Sequence, residues 1–334
     1  MPATTSTDEE LRPRILERLG RFPEPVPLDV HEDGVSEAPD HMRTLVSYRV
    51  EAGERITAWL LRPAGQAPDG GWPAIVACHQ HAGNFEWGKS EPAGLTPDPM
   101  YHYGLELCRR GYVVVCPDHL GFEDRRTPAR LIKKSPDLVG SQYELFELTS
   151  RLLRGSCLQA KYLHDLRAVV GLLVGLPEVD GTRVGTIGHS LGGQEALWLT
   201  WFDSRVRAGV SSCGFAPLRD ILAAGINHNK AMYVPGLLEV ADIEDIVASL
   251  APRPFLLTSG AKDRIFPVEG VRRLVASAGA AYRAAGAPDS FEGIIFPEGH
   301  SFPKNLRERS YAFLDRHLKE FGTSPHTSPL PRGR

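Results

Sequence analysis

The stretch RVGTIGHSLGGQEALW, residues 183–198, decides how this chain is read. Its first five residues form a short apolar run of the kind that makes a buried strand. Its last five suit a helix. Between them stands Gly188-His189-Ser190-Leu191-Gly192-Gly193, a G-x-S-x-G pattern with one further glycine. Glycines on both sides of a serine remove the Cβ atoms that would block a sharp strand-to-helix turn. Such a turn lifts the serine hydroxyl above the end of a sheet, at a helix N-terminus. A serine hydroxyl is unreactive at its free pKa, so Ser190 needs a base, and the base needs an orienting acid.

The flanking sequence supplies the sheet. Apolar runs AIVAC (74–78), YVVVC (112–116), AGVSS (208–212), FLLTS (255–259) and GIIF (293–296) join RVGTI. Helical stretches are expected near 100–110, 156–175, 191–203, 267–285 and 304–320. Short apolar strands alternating with helices predict an α/β fold, a mostly parallel sheet covered on both faces. Residues 42–51 and 55–63 alternate around Gly53-Glu54 and predict a hairpin. Residues 1–41 read as an N-terminal helix (8–19) and a Pro-rich connector. Residues 42–320 read as the catalytic domain, and 321–334 as a disordered Pro/Ser/Thr-rich tail. Two long connections, 120–155 and 215–250, read as lids, because long excursions in compact α/β domains tend to carry function.

Both partners of Ser190 appear at later strand ends. Asp263 follows FLLTS and His300 follows GIIF. Loops at the carboxyl ends of parallel strands gather on one rim of the sheet, where such sheets bind ligands. Topology alone therefore places Ser190, Asp263 and His300 together. Asp289 and Glu298 are alternative acids, and His317, well inside the last helix, is a poor alternative base. An oxyanion needs two N–H donors. One is that of Leu191. The other belongs to the loop His79-Gln80-His81-Ala82-Gly83-Asn84, with His81 the first choice and Gln80 the second.

These segments resemble the α/β-hydrolases, in particular the dienelactone hydrolase and acetyl-xylan esterase branch. The likeness rests on HQHAGN (79–84), CPDHLGFEDR (116–125), GHSLGG (188–193), APRPFLLTSGAKDRIFP (251–267) and EGHSF (298–302), and spans about residues 42–320. It implies an eight-stranded, mostly parallel sheet, a Ser190–Asp263–His300 triad and no cofactor. It leaves the substrate open, since this fold hosts many chemistries.

Other features narrow the function. Among 334 residues, 38 Lys and Arg stand against 41 Asp and Glu, a net charge of −3 that attracts neither nucleic acid nor anionic membranes. No apolar stretch approaches a membrane span, and the N-terminus lacks a secretory pattern. Five scattered cysteines, Cys78, Cys108, Cys116, Cys157 and Cys213, form no CxxC pair; they read as buried thiols in a cytoplasmic protein. His79, His81, Asp118 and His119 could be read as a metal cluster. The alternative is that His79 and Asp118 brace loops, with Arg125 against Asp118 or Asp124. No metal is expected.

Phe85, Trp87, Phe122, Tyr143, Phe215, Tyr233 and Phe302 are the expected pocket wall, joined by Phe146 and Met232, and they suggest a substrate larger and less polar than acetate. Glu86, Lys89, His228 and Lys230 are polar loop candidates. The expected activity is hydrolysis of a small ester-like substrate through an acyl-enzyme. Acyl transfer or cyclisation, amide or C–C bond hydrolysis, and a non-catalytic binding protein are the alternatives. An ester, amide and lactone panel separates them. The sequence leaves the oligomeric state open, with a homodimer as one option.

Overall fold

The computed structural model describes residues 8–319; the expected disordered tail lies outside the described residues. Nine strands form one sheet among the described residues: β1 (His31–Ala38), β2 (His41–Glu51), β3 (Glu54–Pro63), β4 (Trp72–Cys78), β5 (Val113–Pro117), β6 (Val179–His189), β7 (Val206–Ser212), β8 (Phe255–Gly260) and β9 (Phe291–Phe296). Their order is β1-β2-β3-β5-β4-β6-β7-β8-β9. The first three pair antiparallel, as does β3 with β5. From β5 onward every pairing is parallel.

The expected eight strands become nine because β1 joins the edge. Its sequence, HEDGVSEA, is almost wholly exposed and offers no apolar alternation to read. A charged edge strand also resists pairing with other chains.

Ten helices are described: α1 (Asp8–Leu19), α2 (Tyr103–Arg109), α3 (Ala129–Ile132), α4 (Ser141–Leu152), α5 (Leu158–Val174), α6 (Leu191–Phe202), α7 (Leu218–Ala223), α8 (Ile243–Ser249), α9 (Val268–Ala284) and α10 (Lys304–Leu318). Successive strand residues feed opposite faces, as the period of two requires. Ala74, Val76 and Cys78 of β4 pack with α5, whereas Ile75 and Ala77 pack with α2 and α10. Helices α3 and α4 lie in the 120–155 connection, and α7 and α8 lie in the 215–250 connection. All five cysteines are buried free thiols. Among the described residues no helix is long and apolar enough to cross a membrane.

Helix α1 packs onto the core of the sheet and its helices. Leu11, Ile15 and Leu19, one stripe of α1, are buried in the cluster that contains Trp198 and Trp201 of α6. Arg12 donates to the carbonyls of Trp201 and Phe202, both at 2.6 Å, and so satisfies the C-terminal end of α6. The helix that begins at Ser190 is thus held at its far end by the N-terminus of the chain.

Chain order reverses at β4: β5 lies on one side and β6 on the other. A crevice opens where strand order reverses, at the carboxyl ends of such strands. The residues just past the ends of β4 and β6 are His79 and Ser190. We expect Ile15→Ala to lower stability by about 2–5 kcal/mol, as for other buried aliphatic truncations. Val35→Ala, on the exposed edge, should stay within about 0.5 kcal/mol of wild type. Urea unfolding checks both; an unchanged midpoint for Ile15→Ala would show that α1 does not support the core.

Candidate active site

Ser190 sits between β6 and α6 with φ 55° and ψ −120°, a left-handed conformation that strains any residue with a Cβ. Its neighbours explain how the strain is held. Its N–H donates to the Ser212 carbonyl at 2.8 Å, and its own carbonyl accepts from the Gln194 N–H at 3.0 Å. A Cβ on Gly192 would overlap the Cys78 carbonyl oxygen, and one on Gly188 would lie 2.7 Å from the Gly192 Cα. Only glycine fits at either position, which is the physical content of the pattern around Ser190.

Asp263 is wholly enclosed just past β8, while the imidazole of His300 past β9 is partly open. The Nδ1–H of His300 donates to Asp263 Oδ2 at 2.7 Å, and Ile265 N–H donates to Oδ1 at 3.0 Å. With Nδ1 engaged by a carboxylate, the lone pair of the neutral ring lies on Nε2. The two loops are stitched side by side: Ala261 N–H donates to the Phe296 carbonyl at 2.7 Å, and Lys262 N–H to that of Glu298 at 2.9 Å. Ser190 and His300 border one cavity of about 320 Å³. Asp289 precedes β9, whose Phe291 pairs with Phe255 at the start of β8, so it lies at the other end of the sheet. His317 lies within α10.

The loop after β4 distinguishes its two candidate donors. Gln80 N–H is directed at Glu91 Oε2, at 3.4 Å, and the Gln80 side-chain amide donates to Oε1 at 2.8 Å. Burial pushes the Glu91 carboxyl up to about 7. The N–H groups of His81 and Leu191 meet no acceptor among the described residues. The His81 side chain is itself tied down. Its Nδ1 accepts from Gly83 N–H at 3.0 Å, so Nε2 carries the hydrogen and donates to Glu144 Oε2 at 3.3 Å. The other oxygen of Glu144 accepts from Lys230 N–H at 2.8 Å. One buried carboxylate on α4 therefore joins the loop after β4 to the 215–250 connection.

The histidines near β4 do not gather as metal ligands. His79 Nδ1 bonds the Gln80 carbonyl at 2.7 Å and its Nε2 accepts from His119 N–H at 3.1 Å, so both nitrogens are used. Burial lowers His79 to about 4 and keeps it neutral. Asp118 accepts from Lys89 N–H at 2.6 Å and from its Nζ at 2.9 Å. Lys89, far from being a surface loop residue, is buried and also donates to Glu123 and Asp124 at 2.7 and 2.8 Å. Arg125 donates to the Asp118 carbonyl at 2.9 Å and to Asp165 and Glu54 at 2.8 and 2.7 Å. Its brace on Asp118 is thus through the main chain.

Among the described residues two triplets of ligand types do come within 4.8 Å: Cys213 with Asp263 and His300, and Glu51 with His164 and Asp165. Burial pushes the Cys213 thiol up to about 12, and Asp263 and His300 in the first triplet are already bonded to each other. The Lys161 ammonium already bridges Glu51 and Asp165 in the second.

The expected aromatic wall is a correction. None of Phe85, Trp87, Phe122, Tyr143, Phe215, Tyr233 and Phe302 borders the cavity shared by Ser190 and His300. Phe215 and Phe302 are buried in the main cores. Phe122 and Tyr143 form the small core under the 120–155 connection, with Phe85 and Tyr233 packed on it. Trp87 is 41% exposed elsewhere. These rings stabilise the excursions themselves. The lining instead includes His81, Ser141, Glu144, Asn227, His228, Asn229, Lys230 and Ile265. Of these, His81, His228 and Lys230 carried a sequence signal. Glu144 and the asparagines carried none, being polar residues in connections with no motif around them. Both expected lids do reach the cavity, through Ser141 and Glu144 on one side and 227–230 on the other.

Comparison with known proteins adds the following. The model of the Abhydrolase family matches residues 224–308, which include Asp263 and His300 but not Ser190. A curated protein of Bacillus subtilis (strain 168), "Putative hydrolase YtaP", is 28% identical over 315 residues, covering 92% of this chain and 99% of its own. A solved "putative acetyl xylan esterase" from Bacteroides fragilis superposes with a TM-score of 0.68 at 19% identity, over 92% of this chain and 83% of that one. A glucuronoyl esterase from Solibacter usitatus gives 0.66 at 18% identity, over 92% of each.

The buried charges make a stability prediction. In Lys89→Met, Asp118 loses its cation and stays buried, which should cost about 3–5 kcal/mol at pH 8. Burial already raises the Asp118 carboxyl to about 7 with Lys89 beside it, and loss of the cation raises it further above its unfolded value of about 3.9. A group raised in this way favours the fold at low pH and loses that contribution as pH rises through the folded value. The deficit of Lys89→Met against wild type should therefore shrink from pH 8 to pH 5.5 in chemical unfolding. A deficit independent of pH would contradict this.

Proposed function

We propose that this chain, an α/β-hydrolase by fold, is a serine hydrolase that cleaves a carboxylic ester. The observation that carries the reading is the 2.7 Å bond from His300 Nδ1 to Asp263 beside a strained Ser190 on the same cavity. In this reading His300 Nε2 takes the Ser190 proton as Oγ attacks the ester carbonyl. Asp263 holds the ring in the required tautomer and stabilises the imidazolium. The free N–H groups of Leu191 and His81 receive the oxyanion. The imidazolium returns its proton to the leaving alkoxide, and water admitted to the cavity releases the acyl group.

The similar structures, an acetyl xylan esterase and a glucuronoyl esterase, support an ester over an amide or a C–C bond. Most residues around Ser190 carry a polar group although the surface they present is largely apolar, and the cavity of about 320 Å³ lies at the small end of ligand pockets. The size favours a small group next to the scissile bond, in place of the bulky apolar one expected from the aromatic residues.

Ser190→Ala should reduce kcat by roughly 10⁶, and a fluorophosphonate should label wild type at Ser190 and not the variant. Full activity in Ser190→Ala, or labelling at another residue, would end this reading. Asp263→Asn should lose roughly 10³ to 10⁴ in kcat, with KM nearly unchanged and the circular dichroism of the folded protein. Asp289→Asn, at the other end of the sheet, should be almost silent. The opposite result for these two variants would remove Asp263 from the site.

A further inference from the structure

His228 borders the same cavity as Ser190 and His300. Its hydrogen-bonding state can be read from the backbone outward. Met232 N–H donates to Asn229 Oδ1 at 3.1 Å, which fixes the orientation of the buried Asn229 amide. The Asn229 NH₂ group then donates to Gln194 Oε1 at 3.0 Å and faces His228 Nδ1 at 2.9 Å. An NH₂ group cannot accept, so His228 Nδ1 must, and in the neutral ring the hydrogen lies on Nε2. Burial lowers the imidazole to about 4, with the neighbouring His300 and His81 acting in the same direction, so the neutral form persists through the physiological range.

The ring is also fixed in place. It packs on Phe266 with centroids 4.8 Å apart, and Phe266 in turn lies 5.9 Å from the His300 ring. Its Nε2 has no partner among the described residues and almost no accessible surface, so a substrate oxygen in the cavity meets it only when a neighbouring group gives way. His119, His189 and His317 also hold a ring nitrogen without a partner, but none of them borders this cavity. A buried donor without an acceptor is costly, and a ligand that supplies one recovers that cost on binding.

We infer that His228 selects the substrate: its Nε2–H donates to an oxygen next to the scissile ester, so that esters bearing a neighbouring hydroxyl or ether oxygen are preferred. This rests on Ser190 being the nucleophile. The acceptor lies on either the acyl or the alcohol side, and matched substrates separate the two. His228 is neutral and donates only a hydrogen bond, so it takes no part in moving the serine proton.

The test compares kcat/KM for two pairs, each normalised to its rates with hydroxide. 4-Nitrophenyl methoxyacetate against the acetate reports the acyl side. 2-Methoxyethyl acetate against n-butyl acetate reports the alcohol side. Wild type should favour the oxygen-bearing member of one pair by about 5- to 10-fold, the scale of one hydrogen bond. His228→Phe keeps the packing on Phe266 and removes the donor, so its ratio should fall to about one while the plain ester is still turned over. His228→Gln restores a donor and should recover part of the preference. His228→Leu replaces the Phe variant if that one fails to fold. A wild-type ratio of one in both pairs overturns the inference without any variant. So does a preference that survives in His228→Phe, including a uniform loss on both members. Fluorophosphonate labelling of Ser190, measured alongside, separates the two readings: an unlabelled Ser190 removes the nucleophile, whereas a labelled enzyme with no preference removes only the role of His228.

Discussion

The approach of the Gly192 backbone to the Cys78 carbonyl is the contact on which the site depends. It brings the first turn of α6 down onto the end of β4. That leaves Ser190 no conformation but a left-handed one, and it sets the N–H of Leu191 beside the loop that starts at His79. Ser190 and the loop after β4 thus share one steric constraint. Their separation is set by main-chain atoms, which cannot relax as side chains do. The far end of α6 is secured independently by Arg12, so the helix is anchored at both termini.

The rim loops have no such backbone constraint, and buried charge holds them instead. Lys89 gathers three carboxylates from residues 118–124. Arg125 ties the same loop to α5 and to the β2–β3 hairpin. Glu144 ties the loop after β4 to Lys230. Each of these groups would be expensive to bury alone and is tolerated because its partners come from a different segment. Such pairs specify one arrangement of loops more than they add to stability. That is what a site assembled from five separate connections and the turn at Ser190 requires.

The parts of the molecule legible in the sequence are those with a strict local constraint. Ser190 could be read because only glycine fits at 188 and 192. Asp263 and His300 could be read because each follows an apolar run by a few residues in a parallel sheet. β1 could not, since HEDGVSEA pairs through its backbone and buries almost nothing. The membership of α1 in the core was hidden for another reason: the stripe Leu11, Ile15, Leu19 shows that it packs, but not against what. The lining of the cavity failed most completely. Apolar residues in the long connections were natural candidates for a pocket, yet a connection with helices of its own needs a core of its own, and Phe122, Tyr143, Leu148 and Tyr162 supply it. With those rings turned inward, polar residues were left to face Ser190.

That inversion also accounts for the polar groups on α6. Eleven consecutive residues of this helix, Leu191–Trp201, are buried, so Gln194 and Glu195 have no route to solvent. Burial pushes Glu195 up to about 8, which removes its charge near neutral pH. Its oxygens meet the amides of Gln159 at 2.7 Å and Gln194 at 3.2 Å. Gln194 continues the chain to Asn229, and Asn229 to His228. A polar network enclosed in a core must close on itself or end on a group that finds its partner elsewhere. This one begins on an uncharged carboxyl behind Ser190 and ends on His228, which borders the cavity. The same constraint that buries α6 beneath Ser190 therefore sets the hydrogen-bonding character of the cavity wall.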